Sequence, residues 1–438
     1  MKIKTVKKSY DEVMALPRPE HKRPKKPWFL LRTVIRALSI GDMMRTNFSY
    51  NFEDRENLPE GPYLILMNHS SFIDLKIVSK IFYPMPYAIV CTSDGLVGKN
   101  WLMRRIGCIS TQKFVTDVTL IKDIKYALKK QKISVLMYPE ASYSFDGTAT
   151  PLPDKFGGLI KMMKVPVIMI KTYGAFALDP LYNCLQRRKV DVTADVKCIL
   201  RPEDIEEKSV AQIDKILKDA FTFDNFAWQY ENRVEIDEDF RADGLERILY
   251  KCDECGVEGK MEGRGTEIVC HACGRRHTMD ILGRLHAENG ETRFSHIPDW
   301  YKWERECVRE SIENGTYLLD TEVEIGMMVD YKAIYMVGSG RLRHTSEGFS
   351  LRGCDGKLEY DQKPLSSYGL YSDYFWYEIG DMICIGNRDA LYYCFPKKEG
   401  VVAKTRLAAE ELYKIRSAEA RRKKKEEKES ADAEPAQA

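Results

Sequence analysis

The chain has 438 residues, 44% of them hydrophobic and 31% charged, with a net charge of +2. That length exceeds what one hydrophobic core supports, so two or more domains are expected. Near-neutrality excludes a global attraction to polyanions, and no nucleic-acid partner is expected.

The charge is unevenly placed. Residues 1–50 hold twelve Lys/Arg against four acids, an excess of +8 that leaves −6 for the remainder. Within this stretch, 28–40 (WFLLRTVIRALSI) reads as a helix with one basic stripe and apolar residues elsewhere, preceded by Lys22-Arg23-Pro24-Lys25-Lys26. Residues 1–45 are therefore expected to form a basic segment whose amphipathic helix lies on an anionic membrane surface. The competing reading is an ordinary helix packed on the next domain. No apolar run reaches the roughly 18 residues of a spanning helix, and the start lacks the apolar stretch of a signal peptide. The expected location is the cytoplasmic face of a membrane, with peripheral attachment.

From 50 to 175, apolar runs of strand length alternate with helical patterns: strands at 63–67, 86–91, 133–138 and 165–172, helices at 71–81, 96–105, 118–130 and 156–163. Such alternation predicts an α/β domain with a mostly parallel sheet, here bounded at 46–245, whose active loops lie at the carboxyl ends of strands. The first strand runs into Asn68-His69-Ser70-Ser71-Phe72-Ile73-Asp74. Were His69 and Asp74 both helical, five steps of about 100° would leave them about 140° apart. They meet only if His69 lies in the turn, Ser70 or Ser71 caps the helix, and Asp74 occupies its first turn. A carboxylate would then fix the imidazole tautomer while the other ring nitrogen faces a hydroxyl. The bland alternative is a capped helix with a chance His and Asp nearby.

Three further blocks follow in order: the basic segment Met103 to Lys113, with Gly107 six residues before Lys113; Pro139-Glu140-Ala141-Ser142-Tyr143-Ser144 after the next strand; and the strand opening Val165-Pro166-Val167. This four-block order resembles the glycerolipid acyltransferases of the 1-acylglycerol-3-phosphate type, over roughly residues 50–240. The resemblance implies acyl transfer from a thioester, acyl-CoA or acyl-carrier protein, to the hydroxyl of a lysophospholipid acceptor, 1-acyl-sn-glycerol-3-phosphate giving phosphatidate. It implies His69 as general base and Asp74 as its orienting partner, with Glu140 positioning the acceptor. Lys113 and Lys155 are candidates for phosphate pairing, with Ser142 and Ser144 as added donors. Amides near Ser70 or Gly147 are candidates for the oxyanion site. Two departures bear on the acceptor. Tyr143 stands where the family usually has Arg, and a phenol lacks the guanidinium's bidentate fork for phosphate. Lys113 replaces a second Arg. A competing reading keeps the fold as a lipid-binding scaffold at the membrane surface without turnover.

Residues 190–198 alternate as a half-exposed closing strand, and 209–220 read as a helix. Next come Cys252-x-x-Cys255 and, fourteen residues on, Cys270-x-x-Cys273. Paired knuckles at a hairpin-length spacing predict a zinc ribbon over 246–285 with a structural Zn²⁺, since four protein thiolates leave no open position. Gly256 and Gly274 follow each pair, as the tight turns require. His271 and His277 are alternative ligands in principle but read as solvated surface residues. The other eight of the twelve cysteines read as free thiols in a reducing compartment.

Residues 286–318 are expected to be a linker with a helix from 298 to about 312, its Trp300 and Trp303 packing between domains. Over 319–418, seven short β runs followed by a helix at 401–416 suggest a barrel-like domain of the pleckstrin-homology kind. The charged segment 419–438 is expected to be disordered.

Overall fold

The computed structural model describes residues 2–115 and 117–433. Its N-terminal half is built on a seven-stranded sheet in the spatial order Ser49–Phe52, Thr193–Leu200, Val167–Tyr173, Leu64–Met67, Ser134–Met137, Tyr87–Thr92, Cys108–Thr111. All neighbours are parallel except Thr193–Leu200, which runs antiparallel to Val167–Tyr173. The sheet is therefore mixed.

Leu64–Met67 sits at its centre with all four residues buried. Leu64 and Leu66 face a core formed with helices Val118–Lys129, Phe156–Met163 and Val210–Phe221, while Ile65 and Met67 face another formed with Asp74–Phe82. Period-two alternation between two covered faces explains why this run is apolar at every position. The edge strands Ser49–Phe52 and Cys108–Thr111 are short and half-polar, and periodicity did not mark them.

A four-stranded antiparallel sheet, Met261–Arg264, Glu267–Cys270, Arg276–Met279 and Leu285–Ala287, carries the cysteine knuckles. The third sheet takes seven antiparallel strands between Leu319 and Pro396, the first paired with the last, so that two meanders join along Leu319–Met328 and Leu391–Pro396. A helix, Val402–Ala433, follows it.

These parts are not strung on linkers. One apolar core runs from Met261 and Ile268 of the cysteine sheet, through Trp300, to Ile325 and Leu407 of the C-terminal region, and takes in Phe145 and Phe176 of the first domain. The segment expected as a linker thus contributes a core helix, Ile297–Glu313, whose Trp300 is fully buried and donates through Nε1 to the Lys251 carbonyl at 3.0 Å.

Two expectations at the termini are corrected. Thr5–Lys7 adds a parallel strand to Ile334–Met336, so the beginning of the 1–45 segment docks on the C-terminal sheet, while Phe29–Arg45 leaves apolar side chains exposed. An open sheet edge recruits such a strand through its unpaired backbone groups. The tail expected to be disordered is helical to Ala433, while 434–438 lie outside the described residues. Its Ala, Lys, Arg and Glu are strong helix formers, and pairs such as Arg422–Glu426 and Lys425–Glu429 stand one turn apart.

Candidate active site

The strand Leu64–Met67 delivers His69 into the turn, and the helix begins at Asp74 itself. His69 Nδ1 lies 2.8 Å from Asp74 Oδ2, which also accepts from the amides of Ser70 at 3.0 Å and Ser71 at 3.3 Å. Neither serine caps the helix, contrary to expectation. The carboxylate at the first helical position instead reaches back to the amides of the turn that precedes the helix. Ser71 Oγ donates to Asp179 at 2.6 Å and accepts from the Ile73 amide at 3.3 Å.

Asp74 is 1% exposed, so its charge is held in a dry setting against the imidazole. The His69 ring is sandwiched between Tyr138 and Tyr143, with centroids 4.2 and 4.0 Å away. Burial holds the imidazole below its usual value despite the opposing pull of Asp74. A neutral ring with Nδ1 bound to a carboxylate presents Nε2 as a proton acceptor. Nε2 has no protein partner among the described residues.

The ring lines a cavity of about 890 Å³. One wall comes from the first domain, with Phe72, Lys113, Phe114 and Tyr138, and the other from Tyr368, Tyr371, Asp373 and Trp376 of the C-terminal domain. Tyr371 anchors this second wall by donating to Asp94 Oδ2 at 2.5 Å and accepting from Trp376 Nε1 at 2.9 Å. No local pattern in the sequence pointed to Tyr371, Asp373 or Asp179 as site residues, because each is brought in from a distant part of the chain.

Of the candidate substrate-binding residues, only Lys113 lines this cavity, with its ammonium 4.1 Å above the Tyr371 ring. Glu140 is buried and clamps the block from behind. It accepts from the His69 amide at 3.1 Å, the Thr150 amide at 2.7 Å and the Thr150 hydroxyl at 3.1 Å. Burial still pushes its carboxyl up to about 7. Ser142 Oγ donates to the Tyr143 carbonyl and Ser144 Oγ to the Thr148 carbonyl, so both hydroxyls close the loop on itself. Lys155 is exposed at the start of Phe156–Met163 and does not line the cavity. The Ser70 amide is already bound to Asp74, and Gly147 does not line the cavity, so neither serves as an oxyanion donor there.

The four cysteines converge. Their sulfurs all lie within 4.8 Å of one another, with Cys252–Cys273 at 3.7 Å and Cys255–Cys270 at 3.8 Å. A tetrahedron with metal–sulfur bonds of about 2.3 Å has edges of about 3.8 Å, so the donor set fits a four-thiolate ion. Gly256 and Gly274 adopt φ of +70° and +81° as the knuckle turns require. His271 is exposed and meets Glu262 at 2.6 Å, but His277 is not a surface residue. It alternates inward with Met279, is fully buried, and packs edge-on to Trp300.

A neutral imidazole braced by a carboxylate, at the strand ends of an α/β sheet and opening on a cavity with many aromatic residues, can draw a proton from a hydroxyl. Residues 49–171 match the family model described as Acyltransferase. A 1-acyl-sn-glycerol-3-phosphate acyltransferase of Saccharomyces cerevisiae is 29% identical over 140 residues, covering 30% of this chain and 46% of that protein. The chain thus spans under half the length of this curated relative. The crystal structure of the 1-acyl-sn-glycerophosphate acyltransferase PlsC from Thermotoga maritima aligns with a TM-score of 0.33 and 16% identity, over 44% of this chain and 76% of that one. Residues 49–171 are thus similar to an acyltransferase domain of the kind found in glycerolipid-acylating enzymes.

Proposed function

We propose that the protein is an O-acyltransferase that moves a fatty acyl chain from acyl-CoA or acyl-carrier protein to a glycerolipid hydroxyl. One observation carries the reading: the His69–Asp74 pair, 2.8 Å apart, on the wall of an 890 Å³ cavity. In this mechanism Nε2 of His69 takes the acceptor's hydroxyl proton as its oxygen attacks the thioester carbonyl. The tetrahedral intermediate then collapses, the carbon–sulfur bond breaks, and the imidazolium returns the proton to the leaving thiolate. Asp74 stabilises that imidazolium, and no covalent enzyme intermediate is needed. The phosphatidate-forming version of the reaction rests on the name of the yeast relative and on Lys113 in the cavity wall.

Peripheral attachment at the cytoplasmic face of a membrane is part of the same reading, supported by the apolar residues exposed along Phe29–Arg45. The four-cysteine site is read as structural zinc, and the C-terminal strands as a pleckstrin-homology-like sheet, supported by the pairing of its first and last strands with a helix behind them. A scaffold without turnover is disfavoured by an aligned catalytic pair facing open space.

Labelled acyl-CoA incubated with a series of lysolipids tests the assignment. His69→Ala is expected to lower turnover by about 10² to 10⁴. Transfer at the wild-type rate by that variant overturns the proposal.

A further inference from the structure

The charge of the cavity restricts the acceptor. Among the described residues, Lys113 is the one Lys or Arg in its lining, against five carboxylates: Asp74, Asp117, Asp154, Asp373 and Glu378. Two of these are met by cations from the C-terminal region, Asp117 by Arg388 at 2.6 Å and Asp154 by Arg421 at 3.1 Å, and nearby positive charge holds Glu378 below its usual value. Asp74 serves His69.

Lys113 is itself engaged. Burial pulls its pKa down, and Asp373 and Asp94 act against that pull to keep it charged. Asp373 is buried deeply enough that its carboxyl is pushed up to about 7, with Lys113 the main group holding it back. Arg406 approaches the Pro-Glu loop from the C-terminal helix, but its guanidinium donates to the Tyr143 carbonyl and to Glu410 and does not line the cavity. Where the family usually has an Arg in this loop, Tyr143 lays its ring on His69.

A phosphomonoester is a near-dianion in need of several charge-assisted donors. Taking one out of water to meet a single shared ammonium, beside a second carboxylate, leaves most of its desolvation cost uncompensated. A glycerol hydroxyl next to an acyl chain meets no such penalty on walls of Phe, Tyr and Trp.

Resting on the acyltransferase reading above, we propose that the acceptor is an uncharged glycerolipid hydroxyl of the monoacylglycerol class, and that Asp373 of the C-terminal domain enforces this choice over phosphate-bearing lysolipids. The C-terminal domain is then a selectivity wall of the active site.

Initial rates with labelled palmitoyl-CoA are to be measured in mixed micelles at equal surface fractions of 1-oleoylglycerol and 1-oleoylglycerol 3-phosphate. The expected kcat/KM favours 1-oleoylglycerol at least tenfold. Asp373→Asn is expected to shift that ratio at least fivefold toward the phosphate. Preference of the wild-type protein for the phosphate overturns this inference while leaving the acyltransferase reading in place. Transfer to neither acceptor above the His69→Ala background overturns both. An unchanged ratio in a folded Asp373→Asn protein removes Asp373 from the choice, and the wild-type ratio decides the acceptor class even if that variant fails to fold.

Discussion

His69 is unusual in lying between two phenol rings, one of them at the position where the resemblance led us to expect an arginine. Stacking at 4.0 and 4.2 Å excludes water from both faces of the imidazole and leaves only its edge open. That burial, more than Asp74, sets its protonation, holding the pKa below the ordinary 6.5. The sign of the consequence is definite. The base form persists as pH falls below neutrality, so kcat/KM is expected to stay flat through pH 7 and to drop only on an acid limb whose midpoint lies below 6.5. Glu140 shifts the other way, to about 7, but its oxygens bind backbone rather than substrate. Its raised value contributes stability that is fully present below the ordinary 4.5 and is lost as pH rises from there to about 7. A pH–rate profile with its acid midpoint at or above 6.5 contradicts the buried-base assignment.

The elements that could be read from sequence were those whose signal is local. The run into Asn68-His69 was legible because four successive buried residues are followed at once by the chemistry, and the cysteine knuckles because ligand, spacing and turn glycine lie within a few positions. The expected serine cap is absent because the helix starts at Asp74, with Ile73 at the cap position, so both serines lie too far back in the turn. Lys155, Ser142 and Ser144 were assigned from proximity in the chain, which does not say where a side chain points. His277 reads as a surface residue from its neighbours in the chain, whereas the alternation of its strand places it inward. That inward ring and Cys270 belong to a sheet whose core continues into Trp300 and the C-terminal strands. Loss of the metal should therefore spread beyond the knuckles. Cys252→Ser, or prolonged chelation, is expected to remove one bound zinc per chain and lower the thermal midpoint of the whole C-terminal half. A protein purified with no metal and an unchanged midpoint after chelation contradicts the structural-zinc reading.

What no local pattern could reveal is that the C-terminal sheet closes the catalytic cavity, since Tyr371 and Asp94 meet across 277 residues of sequence. This closure bears on how a lipid enters. The helix Phe29–Arg45 exposes Leu30, Val34 and Leu38, one turn apart, together with Phe29 and Met44, and Trp101 lies exposed near its start against Trp28. Phe72, on the cavity wall, is itself half exposed. Burying an exposed leucine in the acyl region of a bilayer contributes about 1.5–3 kcal/mol, and the basic residues around Pro24 add attraction to an anionic surface. Two such leucines changed to acids reverse both contributions at once. The double variant Leu30→Glu/Leu38→Glu is therefore expected to lose at least tenfold in co-sedimentation with vesicles containing anionic lipid. Its turnover on detergent-dispersed acceptor should be retained, because neither residue lines the cavity. Unchanged vesicle binding would remove this helix from the membrane contact, and a parallel loss of turnover in detergent would show that it serves the fold of the catalytic domain instead.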